Sequence, residues 1–300
     1  MLDGLLRLFP VVLGIVVGVW LRRSGAADQR DGEFVFKLNF YVSLPALLFT
    51  SLSRSDITAD LAVFPAAAVA MAFVGYLAAR VVVARTSWPP TQAAVLLSSC
   101  IVVNSGFELP FVQAFYGAEG VARLGAFDLA MTTVTFSFAY YVAARGNPHH
   151  EGGGLLLNRL VRSPPLYGIA AGALVNLTGV PVPAALADPI AAIGAITPVL
   201  ITLATGLLLE PPGRGLGRAF AIITTRLLTG ILIAVALVLV LGLDGVDRAV
   251  VLLLGVAPLA FISVTFASLE NLDVRLAVSA LSLSLVTSLV LSSVVLVLTA

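Results

Sequence analysis

The chain has 300 residues, of which 59% are hydrophobic and 11% are charged, with a net charge of +1. Soluble domains carry about 25% charged residues, and the mean hydropathy of +1.06 is typical of a polytopic membrane protein. The single cysteine, Cys100, excludes a disulfide framework and a cysteine-based metal site. We therefore expect a chain embedded in the lipid bilayer, with no nucleic-acid partner, no metal and no cofactor.

Charged residues separate ten apolar segments, each close in length to the roughly 20 residues that a membrane-spanning helix needs. The segments are 5–21, 37–54, 61–79, 93–117, 121–144, 163–180, 189–209, 220–241, 249–269 and 276–298. Arg22 and Arg23 directly follow the first segment, which is typical of a retained anchor rather than a cleaved signal peptide. The sequence therefore predicts an all-α polytopic membrane protein with ten transmembrane helices.

The distribution of Lys and Arg predicts the orientation, because cytoplasmic loops are enriched in both. Of the 17 Lys and Arg residues, four are assigned to one side of the membrane: Arg7, Arg54, Arg123 and Arg248. The other thirteen, with Arg226 counted among them, are assigned to the loops after the odd-numbered segments. These loops are predicted to be cytoplasmic, so both termini lie outside the cytoplasmic (inner) membrane.

The fourth segment contains residues that a lipid-facing helix does not tolerate. Asn104, Ser105 and Gly106 follow an apolar run, and Glu108 and Pro110 come shortly after. Proline and glycine free backbone groups that need protein, water or a ligand as partner at membrane depth, and an intramembrane carboxylate marks a functional site by default. The alternative is that the helix ends near Val103 and that Glu108 meets water.

Prolines recur in the two halves of the chain in the same order. Pro10 and Pro164 are 154 residues apart, Pro45 and Pro198 are 153 apart, and Pro110 and Pro258 are 148 apart. Five segments are an odd number, so a second half with the same fold must be inverted relative to the first. The sequence predicts a first five-helix repeat over 1–144, a cytoplasmic loop over 145–162 and a second, inverted repeat over 163–300.

Interrupted helices in corresponding positions of two repeats are the best sequence indicator of a transport site. Segments four and nine form the strongest such pair. Their half-helix ends present unpaired N–H groups that suit an anion. Glu108 is expected to share one cavity with Asn104 and to bind a proton or a cation. Asp128, inside segment five, is either a partner for this region or an interfacial residue, and Asn39 is either a cap or a supporting site residue.

Several motifs resemble the auxin efflux carrier family, the bacterial relatives of the plant PIN carriers. They are Leu38–Phe49 with Pro45, Asn104–Gly117 with Pro110, Ser163–Leu166, and Ala257–Pro258. The resemblance implies ten helices in two inverted five-helix repeats with crossing helices four and nine, and a distant relationship to the bile acid:sodium symporters. It also implies a substrate site at Asn104, Ser105, Gly106, Pro110, Ala257 and Pro258, supported by Pro45 and Pro198. The chain departs from the family pattern at Glu108 and at Ala257, where plant carriers have Asn.

The sequence thus predicts a secondary transporter of a small organic anion, in the first instance a carboxylate, coupled to H⁺, to Na⁺ or to neither. The alternatives are a sodium-coupled symporter of the bile-acid type and a channel or ligand sensor on the same fold. An enzyme is not expected, since the chain lacks the H-E-x-x-H, G-x-S-x-G and G-x-x-x-x-G-K motifs. The sequence leaves open whether the protein is a monomer or a homodimer.

Overall fold

A computed structural model describes residues 2–54, 59–147, 164–209 and 216–299, and the regular secondary structure of these residues is entirely helical, with no strand among them. The first half forms α1 (Leu2–Arg23), α2 (Gln29–Leu38), α3 (Leu44–Ser53), α4 (Val63–Arg85), α5 (Pro90–Ile101), α6 (Ser105–Val134) and α7 (Tyr140–Ala144). The second half forms α8 (Pro164–Thr178), α9 (Ala184–Ala195), α10 (Thr197–Leu208), α11 (Leu216–Leu241), α12 (Gly245–Val256), α13 (Ile262–Leu269) and α14 (Val274–Thr299). Most of the predicted loop 145–162, and Ser163, lie outside the described residues.

Six helical runs in the described residues are long and apolar enough to cross a membrane. They are Gln29–Ser53, Val63–Arg85, Pro90–Ala144, Ala184–Leu208, Leu216–Leu241 and Val274–Thr299. The longest has 55 residues and covers two predicted segments. Non-helical backbone at Gly117 (φ 56°, ψ −145°) divides it, and a positive φ there suits glycine. The chain is therefore a polytopic integral membrane protein.

The second predicted segment begins earlier than the sequence analysis expected. The Asp28 side chain accepts hydrogen bonds from the N–H groups of Arg30 and Asp31, and the Asp31 side chain accepts one from the Asp28 N–H, forming a capping box. This arrangement satisfies the free donors of a helix start, so α2 begins at Gln29. The segment then continues through a π-helical turn at Asn39–Ser43 into α3. Asn39 consequently lies inside a helical run rather than at its cytoplasmic boundary.

The helices form two groups that pack mainly within themselves. The crossover bundle consists of α4–α7 and α11–α14, and the flanking bundle consists of α1–α3 and α8–α10. Within the flanking bundle, α1 packs on α10 while α8 packs on α3. Helix α6 contacts α3 and α10 and so joins the two bundles.

The closest helix contacts of the crossover bundle occur at two glycines. A Cβ on Gly75 of α4 would lie 2.1 Å from the carbonyl oxygen of Cys100 in α5, and a Cβ on Gly230 of α11 would lie 2.2 Å from that of Gly255 in α12. Both residues of the second contact follow those of the first by 155 positions. The bounds of α12 follow those of α5 by the same 155 positions.

Candidate substrate site at the helix crossing

The first helix break lies between α5 and α6. Val102 leaves the helical conformation (φ −95°, ψ 132°), and Asn104 (φ −87°, ψ 73°) is the N-cap of α6. The Asn104 Oδ1 accepts a hydrogen bond of 3.2 Å from the Phe107 N–H, which satisfies one of the donors that a helix start leaves unpaired. The break therefore spans residues 102–104.

The second break separates α12 from α13. Helix α12 ends at Val256, Ala257 is extended (φ −58°, ψ 144°), and α13 begins at Ile262. Pro258 has no N–H to bond the Leu254 carbonyl four residues earlier. The proline therefore prevents α12 from continuing and leaves one of its last carbonyls to other donors.

The two breaks are in direct contact. The Asn104 N–H donates to the Pro258 carbonyl at 3.2 Å, and its side-chain Nδ2 donates to the Leu259 carbonyl at 3.2 Å. The Leu259 N–H in turn donates to Ser284 Oγ of α14 at 3.1 Å. Asn104 is 9% exposed, so one buried side chain caps α6 and fixes the opposite break.

Four half-helix ends meet at this crossing. Helices α6 and α13 begin there and bring the partial positive charge of their N-termini, whereas α5 and α12 end there with free carbonyls. The Ser263 hydroxyl, in the first turn of α13, is 3% exposed and has no hydrogen-bond partner among the described residues. An unpaired buried hydroxyl at the N-terminus of α13 is a group that an anionic ligand could satisfy.

Ser105 and Asp128 connect this crossing to the second part of α6. Ser105 Oγ donates to Asp128 Oδ1 in a short hydrogen bond. Ser105 is buried and Asp128 is half-buried. The structure thus brings Asp128 to the start of α6. This agrees with the first of the two alternatives for Asp128, a partner for this region.

Glu108 is fully enclosed by protein, with 0% exposure. Its Oε1 accepts a 2.8 Å hydrogen bond from Ser292 Oγ of α14, while its Oε2 has no partner in the described part of the chain. The alternative that Glu108 meets water at a helix end is therefore wrong. The side chains of Asn104 and Glu108 also take different partners, since Asn104 binds the opposite break and Glu108 binds α14.

Arg226 is a buried charged residue that was not predicted from the sequence to be near the site. It was expected in a cytoplasmic loop, but it lies in the interior of α11 and is 2% exposed. Its Nη2 donates to the Leu254 carbonyl at 3.2 Å, and its charge interacts through space with that of Glu108. The position of an arginine within an otherwise apolar stretch was the signal that could have identified it.

Comparison with known proteins identifies the family to which the chain belongs. A family model described as "Membrane transport protein" matches residues 4–296. The chain belongs to the membrane transport protein family, the auxin efflux carrier family. It is a transporter and not an enzyme, as predicted.

Two archaeal transporters of this family resemble the chain over most of its length. An uncharacterized transporter of Methanothermobacter thermautotrophicus is 27% identical over 288 residues, covering 93% of each chain. An uncharacterized transporter of Methanocaldococcus jannaschii is 22% identical over 289 residues, again covering 93% of each. Neither relative's description specifies a substrate.

The remaining predicted site residues of this transporter separate into two groups. Ala257 and Pro258 lie in the second break, and Gly106 lies in the first turn of α6. Pro110 lies inside α6 rather than in a break. Pro110 and Pro258 therefore occupy different places in the structure, since Pro258 lies in the break between α12 and α13.

The supporting residues lie in the flanking bundle. Pro45 is the second residue of α3, and Pro198 is the second residue of α10, so both lie where a helical run is interrupted. Asn39 is buried in the π-helical turn, and its Oδ1 accepts a 2.8 Å hydrogen bond from Ser43 Oγ. These three residues therefore belong to helices that pack beside the crossover bundle.

Proposed function

We propose that this transporter is a secondary carrier of a small organic anion, with carboxylates as the first class to test. The observation that carries the proposal is the meeting of the α6 and α13 N-termini at one crossing inside the membrane. Each N-terminus carries about half a positive charge, and Asn104 and Ser263 add polar groups at the same place. A carboxylate is small enough to satisfy both helix starts at once.

We further propose the architecture of ten spans in two inverted five-helix repeats, over 1–144 and 163–300, joined by a cytoplasmic loop. The shared 155-residue offset of α5 and α12 and of the two glycine contacts supports it. The exchanged packing of α1 on α10 and of α8 on α3 also supports it. In this arrangement both termini face the outside of the cytoplasmic membrane.

The mechanism follows from the two bundles. The crossing lies within the crossover bundle, and α6 makes most of that bundle's contacts with the flanking bundle, chiefly through α3 and α10. We propose that the crossover bundle moves as a unit against the flanking bundle and carries the anion from one side of the membrane to the other. Such a motion keeps the buried bonds of Asn104 intact.

Energy for transport comes from the membrane potential or from a coupled ion. An exported anion gains about 2.3 kcal/mol per 100 mV of inside-negative potential, so export needs no coupling, whereas import needs a proton or a sodium ion. Asp128, which binds Ser105, and Glu108, which binds Ser292, are the carboxylates that we assign to coupling.

The test begins with thermal unfolding of the purified protein against mono-, di- and aromatic carboxylates, each with and without sodium. The uncharged amide of each acid is the matched control, because it keeps the shape and removes the charge. A ligand present at 100 times its Kd stabilises the folded state by about 2.7 kcal/mol. We expect at least one acid, and not its amide, to raise the Tm.

Proteoliposomes then separate a carrier from a channel. A carrier loaded with unlabelled acid accumulates labelled acid against its gradient, whereas a channel only dissipates the gradient. We expect the proteoliposomes to accumulate the acid that raises the Tm in the thermal-unfolding experiment. Stabilisation by amides or amines instead of acids would contradict the proposed substrate class, and dissipation without accumulation would contradict the carrier.

A further inference from the structure

Glu108 lies at the centre of a second buried polar cluster, beside the crossing. One of its oxygens accepts from Ser292 Oγ of α14, and the other has no hydrogen-bond partner in the structure as described. A buried carboxylate normally satisfies both oxygens, because an unpaired polar atom away from water is costly. The free oxygen therefore marks a position where another atom binds during the transport cycle.

Arg226 provides the opposite charge. It reaches from α11 to the Leu254 carbonyl at the end of α12, where a cation is favourable because the C-terminus of a helix is partly negative. Gly230, one turn after Arg226, leaves room for the guanidinium, since a Cβ there would lie 2.2 Å from Nη1. The Nε of Arg226 is buried without a partner among the residues described.

Serines of α14 continue the cluster to the crossing. Ser284, Ser288 and Ser292 follow one another at intervals of four residues and so share one helix face, and all three are buried. Ser292 binds Glu108, Ser284 accepts from the Leu259 N–H at the second break, and the Ser288 hydroxyl between them has no partner in the described chain. A row of hydroxyls thus connects the carboxylate to the crossing.

Among the residues that the structure describes, Arg226 is the charged side chain that acts on Glu108. Arg226 of α11 interacts with it through space, and the Cys100 thiol of α5 interacts with Arg226 in turn. Ser292 faces it from α14. The charge of the cluster is therefore set by one carboxylate and one guanidinium.

We propose that Glu108, Arg226, Ser288 and Ser292 form a proton-binding site inside the crossover bundle, and that the coupled ion is H⁺ rather than Na⁺. A proton needs one oxygen, and Glu108 has one free. Sodium needs several oxygen ligands around it, whereas this cluster offers one free carboxylate oxygen and serine hydroxyls, one of which is already bound to Glu108. The inference rests on the proposed function, since it names the ion that accompanies the organic anion.

The charge balance explains the coupling. When the Glu108 carboxylate binds a proton, it becomes a neutral carboxyl group, and the positive charge of Arg226 is no longer balanced. An anion at the crossing then restores neutrality, so the anion and the proton each favour binding of the other. This linkage is reciprocal by thermodynamic necessity, and the cluster crosses the membrane with its charge balanced.

Infrared difference spectroscopy of the purified protein at a series of pH values tests the site without a known substrate. A protonated carboxyl group has a carbonyl stretch distinct from that of a carboxylate. We expect wild type to show such a band that disappears as the pH rises, and Glu108→Gln to lack it. Asp128→Asn should retain it. Replacement of sodium by choline should leave the titration unchanged.

Two further variants connect the band to the cluster. Arg226→Met removes the positive charge, and we expect the band to persist to higher pH, because a nearby cation favours the carboxylate. Methionine also stands at the matching position of α4, Met71, 155 residues earlier. Ser292→Ala should shift the frequency of the band by removing its hydrogen bond, and Ser293→Ala, whose hydroxyl bonds Leu289 within α14, should not.

The outcomes separate this site from the proposed function. A band that Glu108→Gln does not remove, or one whose titration depends on sodium, would overturn the proton site while leaving an organic-anion carrier intact. A titrating Glu108 band in a protein that binds no organic acid would support the site and contradict the substrate class. If Arg226→Met is not recovered as folded protein, Arg226→Lys keeps the charge, and its titration should match wild type.

Discussion

At the residue scale, Asn104 shows how one side chain can hold two helix breaks. Its oxygen caps α6 and its amide nitrogen binds the opposite break at Leu259. A serine or threonine side chain could cap α6 in the same way. Neither has a separate amide group that could donate to the opposite break at the same time. Asn104 is therefore the residue on which the geometry of the crossing most depends.

Asn104→Ala should lower both stability and substrate binding. The lost cap costs about 0.5–2 kcal/mol, and the lost bond to Leu259 adds about 0.5–1.5 kcal/mol. Thermal unfolding and ligand-induced stabilisation measure the two effects. Asn176→Ala is the matched control, because Asn176 also donates to a backbone carbonyl, that of Leu52, but in the flanking bundle. Equal loss of ligand response in both variants would argue against a site at the crossing.

Arg226 shows, also at the residue scale, that a charged residue inside a membrane helix indicates nearby partners of opposite charge, whereas one in a loop does not. Its side chain is enclosed by α11 and α12, and its partners are the Leu254 carbonyl and the charge of Glu108. Arginine stays charged under nearly all conditions, so the protein must supply negative partners wherever it is buried. The end of α12 and Glu108 are those partners.

At the element scale, the short contacts at glycine hold the broken helices against the unbroken ones. Helix α4 lies against α5 at Gly75, and α11 lies against α12 at Gly230. Within lipid, the hydrophobic effect does not drive helices together. Small residues that let two helices approach closely therefore stabilise the bundle through van der Waals packing. These contacts position both half-helices that end at the crossing.

Gly230→Ala should destabilise the protein strongly, because its Cβ would lie 2.2 Å from both the Gly255 carbonyl oxygen and Arg226 Nη1. Gly217→Ala in the same helix is the control, since a Cβ there meets nothing within 4 Å and alanine is favoured over glycine in helices by about 1 kcal/mol. Thermal unfolding should show a clear fall in Tm for the first and no fall for the second. Tolerance of Gly230→Ala would mean that α11 and α12 are further apart than described.

At the scale of the whole molecule, the unevenly distributed Lys and Arg residues and the two bundles together make the topology testable. Ser24→Cys and Ser87→Cys lie in exposed turns after α1 and α4, and Val180→Cys and Asp244→Cys lie in exposed turns after α8 and α11. An impermeant thiol reagent added to intact cells should label only the second pair. Cys100 is buried, so Cys100→Ser provides a clean background.

Permeabilised cells are the control, since all four positions should then react. Labelling of Ser24→Cys or Ser87→Cys in intact cells would contradict outward-facing termini. Labelling of Val180→Cys or Asp244→Cys only after permeabilisation would contradict an inverted repeat, because α8 and α11 would then end on the same side of the membrane as α1 and α4, their counterparts in the first half.

Most of the membrane helices could be predicted from the sequence, because apolar segments of suitable length and interrupting prolines depend only on local composition. The break near Asn104 and the break at Pro258 were also identified, since polar residues and proline cannot continue a helix in lipid. The resemblance to the family could also be recognised, as two of its motifs, Asn104–Gly117 and Ala257–Pro258, include these breaks. These motifs can be recognised without any knowledge of how the helices pack.

The sequence by itself determined the class of protein, its helical segments and the pair of broken helices. Only the tertiary structure decided which groups meet. It placed Arg226 in the bundle rather than in a loop, joined Glu108 to Ser292 across 184 positions of the chain, and showed that Pro110 lies within a helix. The physical reason is that hydropathy records the cost of placing a residue in lipid, whereas the partner that offsets this cost comes from a distant helix and leaves no local pattern.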